Sequence, residues 1–210
     1  MNRQIIRISA QAKKKNRFNL YDDDGFLFSL SDETLLRYRL KEGSELSEEL
    51  IKTLKEEDTQ KYAKELAMAY IAHMPRTRLQ VEQHLAKKGI DTQSIGVAVE
   101  ALLRYEYIDD EAYVLEFVRS YGARLGRRMM EQKLRQRGVA QSVIDQHLFV
   151  EEESQIAVAK VLVEKTLAKN TQLPLFKQKR KVYDTLYRKG FDQDVIHAAM
   201  SGMGEEDYEG

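Results

Sequence analysis

The sequence predicts a mainly α fold, with three tandem three-helix repeats in an elongated or curved array, preceded by a small N-terminal antiparallel β element. Three observations lead to this prediction. Only Pro75 and Pro174 interrupt 210 residues that are rich in the helix-forming Leu, Glu, Lys, Gln, Arg and Ala. A segment centred on glycine recurs three times. Apolar and polar residues alternate near the N-terminus, which is the pattern of β-strands.

The N-terminal region, residues 1–56, is predicted to hold the β element within about its first 30 residues, followed by a short helix over 47–56. Residues 6–8 read Ile-Arg-Ile and residues 18–21 read Phe-Asn-Leu-Tyr, both with period two. The run Asp-Asp-Asp-Gly at 22–25 separates two such stretches, and its glycine supplies the positive φ of a hairpin turn. The sequence does not decide the state of the segment between sheet and helix.

From residue 59 onward the chain repeats. Aligned on Gly89, Gly138 and Gly190, which are 49 and 52 residues apart, the segments LAKKGIDTQSI, LRQRGVAQSVI and LYRKGFDQDVI superpose without a gap. Apolar residues recur four positions apart on both sides of each glycine, as one face of a helix requires. Each glycine is therefore predicted to follow one helix in the left-handed conformation and to precede the next helix.

Side chains that can cap these helices follow from the same alignment. Asp91 and Asp192 are predicted to cap the helix after the glycine, whereas Ala140 stands at the equivalent position of the second repeat and leaves its helix uncapped. Thr77 and Gln80 are predicted to form a capping box.

Each repeat is also predicted to open with a further helix. These opening helices are expected at about 59–73, 110–123 and 153–168. The predicted domains are the N-terminal region at 1–56, the repeats at 59–108, 109–150 and 151–200, and an acidic tail at 201–210. Repeats that pack neighbour to neighbour form an extended surface that suits an extended partner.

The charges cancel in total, with 34 Lys plus Arg and 34 Asp plus Glu, but they are segregated along the chain. In each repeat the second helix and its preceding turn are basic, with four, seven and six cations against one acid each. Stacked repeats could align these segments into one basic stripe, which suits a phosphate backbone. The candidate nucleic-acid-binding residues are Arg76, Arg78, Lys87, Lys88, Arg119, Arg124, Arg127, Arg128, Lys133, Arg135, Arg137, Lys177, Lys179, Arg180, Lys181, Arg188 and Lys189.

Plainer interpretations stay open beside this one. A run of charge on a helix is usually a solvated face, although three runs in register favour a binding surface. Tyrosines near the basic segments could stack on bases, but aromatic residues at helical spacing more often belong to a core, so no stacking is predicted. These tyrosines are Tyr105, Tyr107, Tyr113, Tyr121, Tyr183 and Tyr187.

No set of residues in the sequence supports catalysis, so the protein is not expected to be an enzyme. The four histidines lie in different predicted helices without metal-ligand spacing, and there is neither a Walker motif nor GxGxxG. Asp109, Asp110 and Glu111 could hold a metal, but they open a predicted helix, where free amides and the dipole favour acids. No catalytic residue, metal or cofactor is predicted.

The sequence predicts a cytoplasmic protein. It has no cysteine, which fits a reducing compartment. The N-terminus lacks the apolar core of a signal peptide, and no apolar run approaches the roughly 18 residues that span a bilayer, so no membrane partner is expected.

The segment YIDDEAYVLEFVRSYGARLGRRMMEQKLRQRGV at 107–139 resembles the central repeat of the RecX family, and RTRLQVEQHLAKKGI at 76–90 resembles that family's opening repeat. The resemblance covers about residues 59–200, and the N-terminal element resembles an extension carried by longer members. It implies a regulator that lodges in the groove of the RecA filament, touches protein and DNA, and blocks strand exchange and RecA ATPase activity. It also implies a role in DNA repair, recombination and the SOS response.

The residues alone leave two other functions open. One is a general nucleic-acid-binding module for single- or double-stranded DNA, without preference for RecA. The other is a purely structural helical scaffold. In the favoured interpretation the partners are the RecA filament and DNA, and the protein acts as a monomer.

Overall fold

The computed structural model describes residues 2–12 and 14–203, so most of the predicted acidic tail lies outside the described residues. The strands are β1 (Arg3–Gln4), β2 (Arg7–Gln11), β3 (Lys14–Asp22), β4 (Gly25–Ser31) and β5 (Glu45–Leu46). The helices are α1 (Asp32–Arg37), α2 (Glu48–Ile71), α3 (Arg78–Lys87), α4 (Thr92–Arg104), α5 (Asp110–Tyr121), α6 (Arg127–Gln136), α7 (Gln141–His147), α8 (Glu152–Ala168), α9 (Leu175–Arg188) and α10 (Gln193–Met200). The predicted mainly α fold with an N-terminal β element is confirmed.

The described chain divides into two compact units. The first consists of the residues up to Met74 together with Val81–Tyr107, and the second consists of Pro75–Gln80 together with the residues from Ile108 onward. The first unit holds the sheet and most of the first repeat. The second unit holds the second and third repeats and the start of α3.

The sheet of the first unit is antiparallel, in the order β2-β3-β4. Its hairpin turn is the predicted one, since Asp22 pairs with Gly25, whose φ is +116°. A second pairing joins β1 to β5. The prediction that β structure stops within about 30 residues was therefore wrong, because β5 lies at Glu45–Leu46. The sequence did not predict β5 because a strand of two residues is too short to show an alternating pattern.

The helix α2 runs unbroken for 24 residues, where the sequence predicted one helix over 47–56 and another from residue 59. Asp58 and Thr59 favour helix ends because their side chains compete for backbone hydrogen bonds. The Asp58 side chain cannot compete here, since its carboxylate is bound to the sheet and α1. The undecided segment before β5 contains the short helix α1, which Ser31 caps by accepting from the Thr34 amide.

The Asp58 carboxylate is the polar centre of the first unit and only 3% of the residue is exposed. It accepts hydrogen bonds from the Arg17 guanidinium at 2.7 Å, the Ser31 amide at 2.8 Å and the Thr34 hydroxyl at 3.3 Å. A buried charge is tolerated when it is paired and hydrogen-bonded in this way. These bonds attach β3, the end of β4 and α1 to α2.

The three repeats share the predicted turn. Gly89, Gly138 and Gly190 have φ values of +79°, +81° and +81°, and each lies between the second and third helices of its repeat. In every repeat the residue after the glycine donates its amide to the leucine five positions earlier, which closes the last helical turn. The pairs are Ile90 to Leu85, Val139 to Leu134 and Phe191 to Leu186, all at 3.2 Å.

Helix capping agrees with the sequence in the first repeat. Thr77 and Gln80 form the predicted capping box, with each side chain accepting from the other residue's amide. Asp91 caps α4 by accepting from the Ser94 amide at 2.9 Å. This hydrogen bond lowers the pKa of the Asp91 carboxyl below its usual value.

The later repeats differ in their caps. Ala140 leaves α7 without a side-chain cap, as predicted. The prediction for Asp192 was wrong, because its side chain makes no capping hydrogen bond to α10. Its backbone has the extended conformation of a cap, with φ −73° and ψ 156°, so the difference lies in the orientation of the side chain.

We expect Ala140→Asp to stabilise the protein by about 1 kcal/mol, because a side-chain oxygen there can accept from a free amide of α7. The backbone suits it, since φ −62° and ψ 143° of Ala140 are close to φ −70° and ψ 157° of Asp91. Urea unfolding followed by circular dichroism measures the gain. Asp91→Ala serves as the reference and should lose a similar amount.

The Asp91 contribution should also depend on pH. Its folded-state pKa is lowered, so the stabilisation is present above about pH 4 and is lost as the pH falls through the lowered value. The stability difference between the wild type and Asp91→Ala should therefore shrink in acid.

An Ala140→Asp variant no more stable than the wild type would show that the two cap positions are not equivalent.

Candidate nucleic-acid interface

The central basic helix α6 is fixed by two side chains of the second-repeat core. Met130 and Leu134 are 0% exposed and pack with residues of α5 and α7. Arg127, Arg128 and Arg135 lie on the exposed side of the same helix. The sequence therefore separates an apolar face that anchors α6 from a basic face that meets solvent.

The start of α6 rests on the glycine turn of the third repeat. The N-cap residue of α6 is Gly126, which has no side chain to cap the helix, and three amides at the start of α6 donate to the third repeat instead. The bonds are Gly126 to the Lys189 carbonyl at 2.9 Å, Arg127 to the Gln155 side chain at 3.1 Å, and Arg128 to the Gly190 carbonyl at 3.0 Å. The approach requires glycine, because a Cβ on Gly126 would lie 2.3 Å from the Gly190 backbone.

The start of α3 meets the second repeat in the same way, within the second unit. The Thr77 hydroxyl donates to the Arg137 carbonyl at 2.5 Å, and the Arg78 amide donates to the Asp110 carboxylate at 3.1 Å. Thr77 is equivalent to Gly126, since both lie twelve residues before the glycine of their repeat. Each junction therefore joins the start of one second helix to the end of the next.

These junctions bring the basic segments of the second and third repeats together. The Lys189 ammonium donates to the Arg124 carbonyl at 3.4 Å, and the Arg128 guanidinium lies 5.0 Å from the centre of the Tyr187 ring. Arg188 is exposed beside them in sequence. The cations at the start of α6 and at the end of α9 thus lie next to each other on adjoining repeats, and together they are called the basic surface.

The cations predicted in the first repeat are divided between the units. Arg76 and Arg78 lie in the second unit, next to the junction with the second repeat. Lys87 and Lys88 lie at the end of α3 in the first unit and are exposed.

Several predicted cations are already engaged within the protein. The Arg137 guanidinium donates to the Tyr113 hydroxyl at 2.7 Å and lies 4.7 Å from the centre of the Phe117 ring. Burial raises the pKa of the Tyr113 hydroxyl, so this group stays neutral. Arg119 and Arg135 form ion pairs within their own helices. Arg137 therefore stabilises an aromatic cluster, which the charge pattern did not reveal.

Other cations of the second unit are more available. Arg127 and Arg180 are exposed, and Lys133 is half-buried. None of the three takes part in the ion pairs found within residues 2–12 and 14–203. These side chains can reach phosphates without first breaking an internal pair.

The tyrosines agree in part with the expectation that they belong to the core. Tyr113 and Tyr121 are half-buried, and both pack against the second-repeat core. Tyr187 is 45% exposed but stacks on Tyr183, with ring centres 6.1 Å apart, and also contacts Arg128. Tyr105 is 69% exposed.

The acids considered as a metal site have structural partners. Asp109 caps α5 by accepting from the Glu111 and Ala112 amides, as predicted. Asp110 accepts from the Arg78 amide at the first junction. The described residues contain no group of three potential metal ligands placed to share an ion.

The third repeat does not present the same junction to a further repeat. The helix α9 begins fifteen residues before its glycine, whereas α3 and α6 begin eleven residues before theirs. Gln178, the equivalent of Thr77 and Gly126, therefore lies inside α9, and its amide already donates to the Pro174 carbonyl at 3.0 Å. The series of junctions ends at this helix.

The fold consists of successive three-helix units, and the second helix of each unit is basic and ends at a glycine turn. These features place the protein in the class of helical-repeat proteins. Four family models match the chain in order. They are the regulatory protein RecX N-terminal domain at residues 3–47 and the first, second and third RecX three-helix domains at 63–102, 109–148 and 152–200. The chain belongs to the RecX family of regulatory proteins.

Relatives and solved structures agree with this assignment. The regulatory protein RecX of Bacillus cytotoxicus is 33% identical over 96% of this chain and 77% of the relative, and that of Lactobacillus gasseri is 30% identical over 96% and 75%. A crystal structure of a regulatory protein RecX superposes with a TM-score of 0.70 at 29% identity, over 95% of this chain and 99% of that one. Among the described residues, none of the helices is long and apolar enough to cross a membrane.

Proposed function

We propose that this protein binds the RecA nucleoprotein filament on DNA and inhibits its strand-exchange and ATPase activities, so that it restrains recombination and repair. The observation that carries the proposal is the basic surface, in which the cations at the start of α6 and at the end of α9 lie next to each other. Membership of the RecX family supports the choice of partner.

In this proposal the exposed cations neutralise backbone phosphates, which gives affinity for single- and double-stranded DNA without reading the sequence. No chemistry is needed for inhibition. A protein that binds one state of the filament more tightly shifts the population toward that state, and the RecA ATPase falls as a consequence. We place the protein in the cytoplasm, where it acts as a monomer.

A pulldown at equal salt separates this function from its competitors. Filaments of RecA on immobilised oligo(dT), held with a slowly hydrolysed ATP analogue, are compared with bare oligo(dT). Tighter binding to filaments supports the proposal. Equal binding to both would indicate a general nucleic-acid-binding module, and binding to neither would indicate a structural scaffold.

The purified protein is expected to show no ATPase or nuclease activity of its own, with or without Mg²⁺, because inhibition in this proposal needs binding alone. Phosphate release and cleavage of labelled DNA are the measurements. Turnover that survives repeated purification and follows the protein through each column would contradict the proposal.

A further inference from the structure

An apolar groove in the second unit lies between the end of α5 and the start of α8. It has a volume of about 520 Å³, and Val118, Val150 and Val158 contribute to its walls. Gln155 also lines it, but its side-chain oxygen already accepts from the Arg127 amide. The groove therefore offers mainly apolar contact to a ligand.

Phe149 stands at the edge of this groove and is 77% exposed. Its neighbours in sequence point inward, since Leu148 is 4% exposed and Val150 packs against the second-repeat core. The connector between α7 and α8 is thus held in place without Phe149. A single exposed ring is common, but a ring beside an apolar groove creates the larger surface that marks an interaction site.

The apolar surface continues along both walls of the groove. On α5, Leu115 precedes Val118 by one turn and is 54% exposed. On α8, Val161 follows Val158 by one turn and is 46% exposed. Residues three apart lie on the same face of a helix, so the surface is longer than the groove itself.

One acid, Glu151, lines the groove beside Phe149, and Glu152 and Glu153 follow it in the first turn of α8. Glu151, Glu152 and Glu153 are all exposed, and none of the ion pairs within the described part of the chain involves them. Their place at the start of α8 suits the helix dipole, and their charges remain available to a partner. Acids repel phosphate and attract Lys and Arg, so this rim favours a protein over a nucleic acid.

We propose that the groove docks a segment of the protein subunits of the RecA filament, in which one large apolar side chain is flanked by Lys or Arg. The inference rests on the proposed function and supplies its protein contact, while the basic surface supplies the DNA contact. The apolar side chain packs between Phe149 and Val158, and the flanking cations pair with the acids. Exposed aromatic residues of this kind often carry a large share of the energy of an interface.

The test compares Phe149→Ala with Phe26→Ala, a matched variant whose ring is 62% exposed in the first unit. Both should fold as the wild type does, because neither ring is buried. Binding is measured to RecA filaments on oligo(dT) and to bare oligo(dT). Phe149→Ala should weaken filament binding about tenfold or more and leave binding to bare DNA unchanged, whereas Phe26→Ala should change neither.

A second variant changes all three acids to glutamine. It should weaken filament binding while leaving binding to bare oligo(dT) unchanged or slightly stronger, since it removes negative charge. Opposite effects on the two ligands cannot arise from misfolding.

Three results would overturn the inference and leave the proposed function standing. Phe149→Ala could bind filaments as well as Phe26→Ala does, or it could lose filament and bare-DNA binding equally. Sedimentation velocity could also show that the wild type self-associates and that Phe149→Ala abolishes it, which would make a second copy the occupant. A wild type that fails to bind filaments would instead defeat the proposed function, and the inference with it.

Discussion

Reversing four cations of α6 to glutamate is expected to weaken binding to DNA and to the RecA filament and to flatten its salt dependence. The four are Arg127, Arg128, Lys133 and Arg135. Folding should survive, because Met130 and Leu134 are fully buried and anchor the helix without these charges. The helix dipole favours the new acids at positions 127 and 128, which lie at the start of α6, and this gain in stability offsets the unfavourable effect of the acids at 133 and 135 near its end.

The size of the effect follows from counterion release. Each lost phosphate contact lowers the slope of log affinity against log salt by about 0.9 on duplex DNA and about 0.7 on single strands. Arg127 and Lys133, which form no ion pair with any residue that the structure describes, should account for most of the change. Loss of these two contacts alone lowers the slope by roughly 1.8 on duplex DNA. Fluorescence anisotropy over a series of salt concentrations measures it.

The matched control reverses four exposed lysines outside the basic segments and so changes the net charge equally. They are Lys52, Lys64, Lys160 and Lys165. If position matters, only the α6 variant should lose most of its affinity and its ability to inhibit the filament. Equal losses in both variants would mean that net charge alone governs binding, and an unchanged slope in the α6 variant would show that its basic face is only solvated.

The repeat architecture could be predicted from the sequence because each glycine turn leaves a local signature. Gly89, Gly138 and Gly190 have positive φ, and the apolar residues around them face their own cores. The turn depends only on residues that are close in sequence, so a single sequence is enough to predict it. Asp192 shows the limit, since a cap also depends on a side-chain orientation that the sequence does not determine.

The junctions between repeats could not be predicted, because they depend on residues far apart in sequence. Gly126 has no role that the sequence predicts, yet glycine is needed where its backbone meets that of Gly190. Gln155, a buried side chain of α8, caps the start of α6 from the next repeat. Neither role has a local sequence pattern. The one available signal was that Gly126 stands where the first repeat has Thr77.

The charge pattern located the basic surface but could not show which cations are available. Arg137 counts as one of seven cations in its segment, yet its guanidinium contacts Tyr113 and Phe117. Arg127 looks equivalent in the sequence and has no such contact. The difference arises from packing between helices, which places aromatic rings beside one arginine and solvent beside the other.

Asp58→Ala is expected to destabilise the first unit by about 3 kcal/mol or more, because it leaves the Arg17 guanidinium buried without its partner. The Arg17 side chain is only 18% exposed and the Asp58 side chain 4%. The variant also removes the acceptor of the Ser31 amide and the Thr34 hydroxyl, which connect β4 and α1 to α2. Urea unfolding followed by circular dichroism measures the loss.

Glu33→Gln is the matched control, since Glu33 pairs with Lys61 of the same helix α2 but its side chain is 57% exposed. An exposed pair contributes about 0–1 kcal/mol, so this variant should stay close to the wild type. A double variant, Asp58→Leu with Arg17→Met, should recover part of the loss, because an apolar pair leaves no unpaired charge. Equal stabilities of Asp58→Ala and Glu33→Gln would show that the buried carboxylate does not hold the sheet to α2.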